Sequence, residues 1–242
     1  MSIYTNLCKE VRSGKKKFAV LIDPDKNDTT SLKKLLKIAI KGRVDYFFFG
    51  GSILINDNQD HLITFLKENC DIPVLLFPGN SLQLNNKADG LLLLSLISGR
   101  NPEMLIGRHV IAAPFLKKSN LEIIPTGYIL VESGSLTTVA YMSNTTPIPS
   151  EKGEVAMCTA IAGEMLGLKL IYMDAGSGAK NPIPGAMIKK VRSNISLPLI
   201  IGGGITTARK AKDALNAGAD VIVIGNAIEK DPRLIYQIAE II

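Results

Sequence analysis

The chain has 242 residues, 46% apolar and 21% charged, with 21 glycines and 12 prolines; this is the balance of a packed globular protein and excludes global disorder, collagen-like repeats and low-complexity chains. The net charge of +6, from 28 basic and 22 acidic side chains, favours anionic partners in general. Aromatics at 5% and the absence of tryptophan argue against a single-strand nucleic-acid binder, which needs stacking platforms.

Short apolar runs recur from end to end. The first, Phe18–Asp23, ends in Asp23-Pro24-Asp25 and is followed by a helical pattern from Ser31 to Arg43, with Leu32, Leu35, Leu36 and Ala39 on one face and lysines opposite. Tyr46–Gly51, Pro73–Gly79, Gly90–Leu96 and Ile123–Val131 follow as strands. The stretch Gly79 to Ala88 reads as an irregular loop, and Ser98–Asn120 and Gly134–Pro149 are weakly patterned. Val155–Leu166 reads as a helix, then Leu168–Asp174 as a strand, Ala186–Arg192 as a helix and Leu197–Gly202 as a strand. Thr206 or Thr207 can cap a helix carrying Ala208, Ala211, Ala214 and Leu215 that Gly218 closes. Val221–Gly225 is the last strand, and Pro232 starts a last helix with Leu234, Ile235, Ile238 and Ile241.

Each run is apolar at successive positions, the mark of strands buried on both faces of a parallel sheet. Eight such strands, spaced roughly one βα unit apart, predict an α/β fold, a TIM (β/α)8 barrel occupying residues 1–242 as a single domain. A doubly wound open sheet would place its glycine-rich turn after the first strand; here the glycines gather at the last strands. Three scattered cysteines, Cys8, Cys70 and Cys158, form neither a disulfide framework nor a zinc spacing. With no apolar run of membrane-spanning length and a polar start ending in Lys15-Lys16-Lys17, the expected location is cytoplasmic, with at most peripheral membrane contact.

In such a barrel, chemistry belongs at the strand ends. These carry Asp23 and Asp25, Gly51-Ser52, Gly79-Asn80, Ser95, Glu132, Asp174 with Gly176-Ser177-Gly178, Gly202-Gly203-Gly204, and Gly225-Asn226. The glycines after the seventh and eighth strands can offer backbone N–H groups to a phosphate, although tight turns alone would also use them. Asp174 can orient or deprotonate a hydroxyl, or serve only as a turn residue. Asp23 suits a magnesium ion that also carries diphosphate oxygens, with Ser52 as a hydroxyl donor, and an Asx-type turn is the competing use of the same acids. His61 and His109 lack partners at metal or catalytic spacing and are expected to be structural or exposed.

The ordered set Phe18-Ala19-Val20-Leu21-Ile22-Asp23-Pro24-Asp25-Lys26, Gly50-Gly51-Ser52, Phe77-Pro78-Gly79-Asn80, Tyr172-Met173-Asp174-Ala175-Gly176-Ser177-Gly178, Gly202-Gly203-Gly204-Ile205 and Ile224-Gly225-Asn226-Ala227 resembles the geranylgeranylglyceryl phosphate synthase family, which includes heptaprenylglyceryl phosphate synthases. The resemblance implies a transferase that joins a polyprenyl diphosphate, geranylgeranyl first, to the C3 hydroxyl of sn-glycerol 1-phosphate and releases diphosphate with Mg2+. It implies Asp23 and Ser52 as metal ligands, Tyr172, Met173, Asp174, Ala175, Gly176, Ser177, Gly178, Gly203, Gly204, Gly225 and Asn226 around glycerol phosphate, and Asp174 as the catalytic group. It also implies a homo-oligomer, dimer or hexamer, and no nucleic-acid partner. Leu21 stands where some members carry a phosphate-binding lysine, and Asp174 where they carry Glu; both resemble the second of the family's two groups. Leu75, Phe77, Leu93 and Tyr128 are candidates to line a prenyl groove. The competing functions are a sugar-phosphate isomerase or lyase on the same barrel, and a non-catalytic phosphate- or polyprenyl-binding barrel.

Overall fold

The computed structural model describes residues 2–56, 58–80 and 83–242. Strands β1 (Lys17–Ile22), β2 (Tyr46–Phe49), β3 (Val74–Leu76), β4 (Gly90–Leu96), β5 (Glu122–Leu130), β6 (Leu170–Asp174), β7 (Leu199–Gly202) and β8 (Val221–Ile224) form a closed ring. Every neighbouring pair is parallel. The ring shuts where Val20 pairs with Phe47 on one side and Ile224 on the other. The α/β barrel read from the sequence is the observed fold.

Alternation along each strand divides the core in two. On β6, Leu170 and Tyr172 point into the barrel while Ile171 and Met173 point to the helix layer. The outer layer comprises α2 (Thr29–Lys41), α3 (Gln59–Asn69), α4 (Arg108–Lys118), α5 (Thr138–Ser143), α6 (Gly153–Met165), α7 (Gly185–Arg192), α8 (Ala208–Ala217), α9 (Asn226–Lys230) and α10 (Leu234–Ala239). Capping follows the local chemistry: Asp28 and Ser31 form a reciprocal capping box at α2, and Thr207 accepts from the Lys210 N–H at α8. No helix among the described residues is long and apolar enough to cross a membrane.

Three departures from the sequence reading have physical causes. The polar N-terminus forms a helix, α1 (Ile3–Arg12), that places Leu7 against the barrel-floor residues Tyr46, Phe48 and Leu75. Its first turn is tied to the opposite side of the ring by Glu122, whose carboxylate accepts from the Ile3 and Tyr4 N–H groups at 2.6 and 2.9 Å. Second, Ser98–Asn120 contains α4, entered through a π-helical turn at Glu103–Gly107. Its pattern is weak because both faces are apolar: Ala112 and Leu116 are buried while Val110, Ile111 and Phe115 are exposed. Third, β3 is shorter than the apolar run suggests, and the β3–β4 connection carries no α-helix among its described residues, as Gly79–Ala88 implied; Ser81 and Leu82 lie outside the described residues.

Removing the Glu122 anchor is expected to loosen the floor without touching the opposite rim. Glu122→Ala should lower the unfolding free energy by about 1–2 kcal/mol in urea denaturation, and it should leave ligand binding at the rim unchanged.

Candidate active site

A cavity of about 890 Å³ opens at the C-terminal ends of the strands and takes in Asp23, Ser52, Tyr172, Asp174, Gly176, Ser177, Gly178, Gly203, Gly204, Gly225 and Asn226. Met173 and Ala175 stand apart. Both side chains pack into the helix-side core, and the Ala175 N–H is taken by the Gly202 carbonyl at 3.1 Å. The period of two explains this: Tyr172 and Asp174 occupy the inward positions of β6 and exclude their neighbours. Ser95 and Glu132 do not line the cavity either.

Asp174 is 7% exposed. Its Oδ1 accepts from the Gly176 N–H at 2.8 Å and its Oδ2 from the Tyr128 hydroxyl at 2.6 Å. Burial pushes its pKa up, and the two donors only partly offset that rise. Beneath it Tyr128, Tyr172, Phe77 and Phe48 form a connected aromatic floor, with Phe77 stacked on Tyr172 at 5.0 Å between centroids. Gly202 makes room for this floor, since a Cβ there would lie 2.4 Å from the Tyr172 hydroxyl oxygen.

Beyond Asp174 the chain turns through left-handed backbone at Gly176, Gly178, Gly203 and Gly204, with φ of 88°, 79°, 79° and 69°. The N–H groups of Ser177, Gly178, Gly203 and Gly204 donate to no acceptor among the described residues. Their residues line the cavity, in the concave, donor-rich arrangement of a nest that could receive an anion. The Asn226 side chain ties this nest together: its Nδ2 donates to Ser177 Oγ at 3.1 Å, and its Oδ1 accepts from Lys26 Nζ at 3.0 Å.

Lys26 is the functional candidate that strand-by-strand reading passed over. It sits on the short 3-10 turn Pro24–Lys26, with its ammonium 3.1 Å from Asp23 Oδ2 and 3.5 Å from Glu229. Burial acts to lower its pKa, but the Asp23 hydrogen bond and the Glu229 charge outweigh it, so the net shift is upward and the cation is secure. Leu21, in contrast, packs beneath Gly225. A signal did exist in the sequence, because a lysine three residues after Asp23 on a tight turn returns to the rim.

Asp25 also lines the cavity, but its carboxylate is spent on pinning the β2–α3 loop, accepting from the Ile55 and Asn56 N–H groups at 2.8 Å each. Asp23 faces the mouth beside Gly51, whose added Cβ would come within 3.2 Å of its Oδ1. Gln83, 1% exposed, clasps the same corner by accepting from the Gly51 and Gly79 N–H groups and donating to the Gly51 carbonyl. Its place in a patternless loop hid it from sequence reading. Arg108 reaches the Gly79 carbonyl at 2.8 Å from α4. His109 also lines the cavity and donates from Nε2 to the Leu94 carbonyl at 2.9 Å; His61 meets Thr29 at the surface.

An apolar extension leaves this rim. Leu91 and Leu93 face the helix layer from β4 and meet Ala112 and Leu116 of α4, with Leu84 from the helix-free connection. Phe77, Leu93 and Tyr128 line the cavity as expected for a groove, whereas Leu75 lies in the barrel floor near Leu7.

A rim of unpaired N–H groups, a buried carboxylate and an apolar groove meet in one cavity of a (β/α)8 barrel, the chemistry an anionic, amphiphilic ligand would need. The chain belongs to the PcrB family, which matches residues 11–242. It is 54% identical over 238 residues to the geranylgeranylglyceryl phosphate synthase of Chitinophaga pinensis, covering 98% of this chain and 94% of that one. It is 38% identical over 241 residues to the enzyme of the same name from Methanosphaera stadtmanae, covering 100% and 98%. Among solved structures, (S)-3-O-geranylgeranylglyceryl phosphate synthase from Thermoplasma acidophilum, in complex with its substrate sn-glycerol-1-phosphate, superposes with a TM-score of 0.94 at 30% identity, covering 99% and 98% of the two chains.

The nest depends on glycine unequally at its positions. A Cβ at Gly203 would lie 2.6 Å from Asp174 Oδ1 and 2.7 Å from the Ala175 and Gly176 nitrogens, while one at Gly178 would meet nothing within 4 Å. Gly203→Ala is therefore expected to cost about 1–3 kcal/mol of stability and to abolish inorganic phosphate binding in calorimetry. Gly178→Ala should pay only the left-handed backbone strain of about 1–2 kcal/mol and retain measurable binding.

Proposed function

We propose that this protein transfers a polyprenyl group from its diphosphate to the C3 hydroxyl of sn-glycerol 1-phosphate, forming an ether bond as in archaeal-type lipid synthesis. The observation that carries the reading is the cavity itself, which joins an anion nest, a buried carboxylate and an apolar groove in one space. The names of the relatives support the same substrates.

In this reading the glycerol phosphate dianion rests on the N–H groups of Ser177, Gly178, Gly203 and Gly204, with Asn226 beside them and Lys26 supplying the positive charge. Clamping at one end fixes the C3 hydroxyl near Asp174 and converts an encounter into an oriented approach. The hydroxyl oxygen forms a bond to C1 of the prenyl chain, the bond from C1 to the diphosphate oxygen breaks with its electron pair leaving on diphosphate, and the hydroxyl proton passes to Asp174. Leu91, Leu93, Ala112 and Leu116 receive the tail.

Magnesium fits the Asp23–Ser52 corner by the chemistry of its donors. Both are hard oxygen ligands; Asp23 Oδ1 accepts from the Asp25 N–H at 3.1 Å in an Asx-type turn and Oδ2 pairs with Lys26 at 3.1 Å, so an ion there would share the carboxylate with these donors. An ion held by these two oxygens would keep waters and take substrate oxygens for its remaining positions. Bound there, the ion supplies charge neutralisation for the departing diphosphate. Arg108 stands at the same corner as a further cation. The apolar exposure of Ile106, Val110, Ile111 and Phe115 supports assembly with further copies of the chain.

The direct test is product formation from labelled geranylgeranyl diphosphate, glycerol phosphate and magnesium. Phosphorylated ether lipid should form from sn-glycerol 1-phosphate and far less from the 3-phosphate; no product from either enantiomer would refute the reading. Lys26→Met should raise KM for glycerol phosphate by about tenfold or more, and Asp23→Ala should cut turnover and the response to magnesium.

The pH dependence follows from Asp174. A base must be deprotonated, and burial raises its pKa, so activity should fall on acidification through an apparent pKa above the ordinary carboxylate value of about 4. Asp174→Asn should remove turnover while the melting temperature at neutral pH holds or rises, because it relieves a buried charge.

A further inference from the structure

We propose that Tyr128 is a positioning residue for Asp174: its hydroxyl holds Oδ2 so that the carboxylate faces the glycerol hydroxyl and stays available as a proton acceptor. This rests on the proposed role of Asp174 and adds a residue to it.

The geometry is over-determined. Tyr128 on β5 pairs with Tyr172 on β6, and Asp174 lies two residues farther along the same inward face. The Tyr128 hydroxyl donates to Asp174 Oδ2 at 2.6 Å, and the Gly176 N–H donates to Oδ1 at 2.8 Å, so each carboxylate oxygen has one fixed donor and a lone pair left for substrate. The Tyr128 ring cannot swing away easily, since it is 5% exposed and packs edge-on to Phe77 at 6.0 Å and tilted on Tyr172 at 5.5 Å.

The direction of the hydrogen bond is also fixed. Burial, followed by the Asp174 charge, holds the Tyr128 phenol well above its usual pKa of 10.0, so it keeps its proton wherever the enzyme would operate. The titratable groups facing Asp174 are Tyr128 from β5 and Tyr172 from β6; its other donor is the Gly176 backbone N–H, and no charged side chain hydrogen-bonds or pairs with it among the described residues. Among the described residues the Tyr128 hydroxyl is therefore the one side-chain donor that opposes the effect of burial on this carboxyl. During turnover the proton moves from the glycerol hydroxyl to Asp174, and Tyr128 neither gains nor loses one.

Tyr128→Phe keeps the ring and deletes only the donor. The acid limb of the kcat/KM profile should move to higher pH by about one unit, kcat should fall, and KM for glycerol phosphate should change less than about threefold. A reading independent of turnover is the infrared band of the protonated Asp174 carboxyl, assigned by its loss in Asp174→Asn; its titration should shift upward in Tyr128→Phe. Phe77→Leu disturbs the same aromatic packing and should leave that titration in place. Coincident titrations in Tyr128→Phe and the parent, or an equal shift in Phe77→Leu, would overturn the proposal. Retained turnover in Asp174→Asn would instead overturn the role of Asp174 as base, and the infrared comparison of Tyr128→Phe with the parent would still decide whether the hydroxyl tunes the carboxyl.

Discussion

Pairing of the first strand with the last is the contact on which the site depends. With Val20 set against Ile224, the turn after β1 stands beside the turn after β8. Lys26 and Asn226, 200 positions apart in sequence, then lie 3.0 Å from one another. An open sheet with the same strands would leave β1 and β8 at opposite edges, with the ammonium far from Asn226 and the glycine turns. Closure also makes the inward faces meet, so that Phe48 of β2, Phe77 just after β3, Tyr128 of β5 and Tyr172 of β6 join in the aromatic floor.

On that floor the molecule accepts local destabilisation for chemistry. A buried carboxylate is costly unless donors satisfy it, and Asp174 has two, both held by rigid neighbours. Backbone N–H groups without protein partners are likewise rare, yet they occur together at Ser177, Gly178, Gly203 and Gly204 on the wall of one cavity. Such a concentration of unmet donors beside a carboxyl of raised pKa is what supports the proposed ligand site over a set of turns.

Much of this was legible in the sequence. The barrel was, because parallel strands buried on both faces leave continuous apolar runs such as Tyr46–Phe49 and Val221–Ile224. The rim was as well, because glycines after β6 and β7 adopt backbone that other residues resist. Elements whose signal lies in tertiary contact were not. α1 is polar in sequence and is held by a Glu122 more than a hundred residues away. α4 is apolar on both faces, so its periodicity fades. Gln83 and Lys26 act through partners that only the closed ring brings near. Within the contiguous motif Tyr172–Gly178, Met173 and Ala175 turn their side chains to the helix layer, because alternation sends every second residue of the strand outward.

The central claim is that the β6–β8 rim receives the phosphate and so delivers a hydroxyl to Asp174. A crystal structure of the protein with sn-glycerol 1-phosphate tests it most directly. The account predicts phosphate oxygens within hydrogen-bonding distance of the Ser177, Gly178, Gly203 and Gly204 N–H groups, with the C3 hydroxyl against the Asp174 carboxylate. Phosphate seated instead at Asp23 and Ser52, with the glycerol carbons turned away from Asp174, would contradict it.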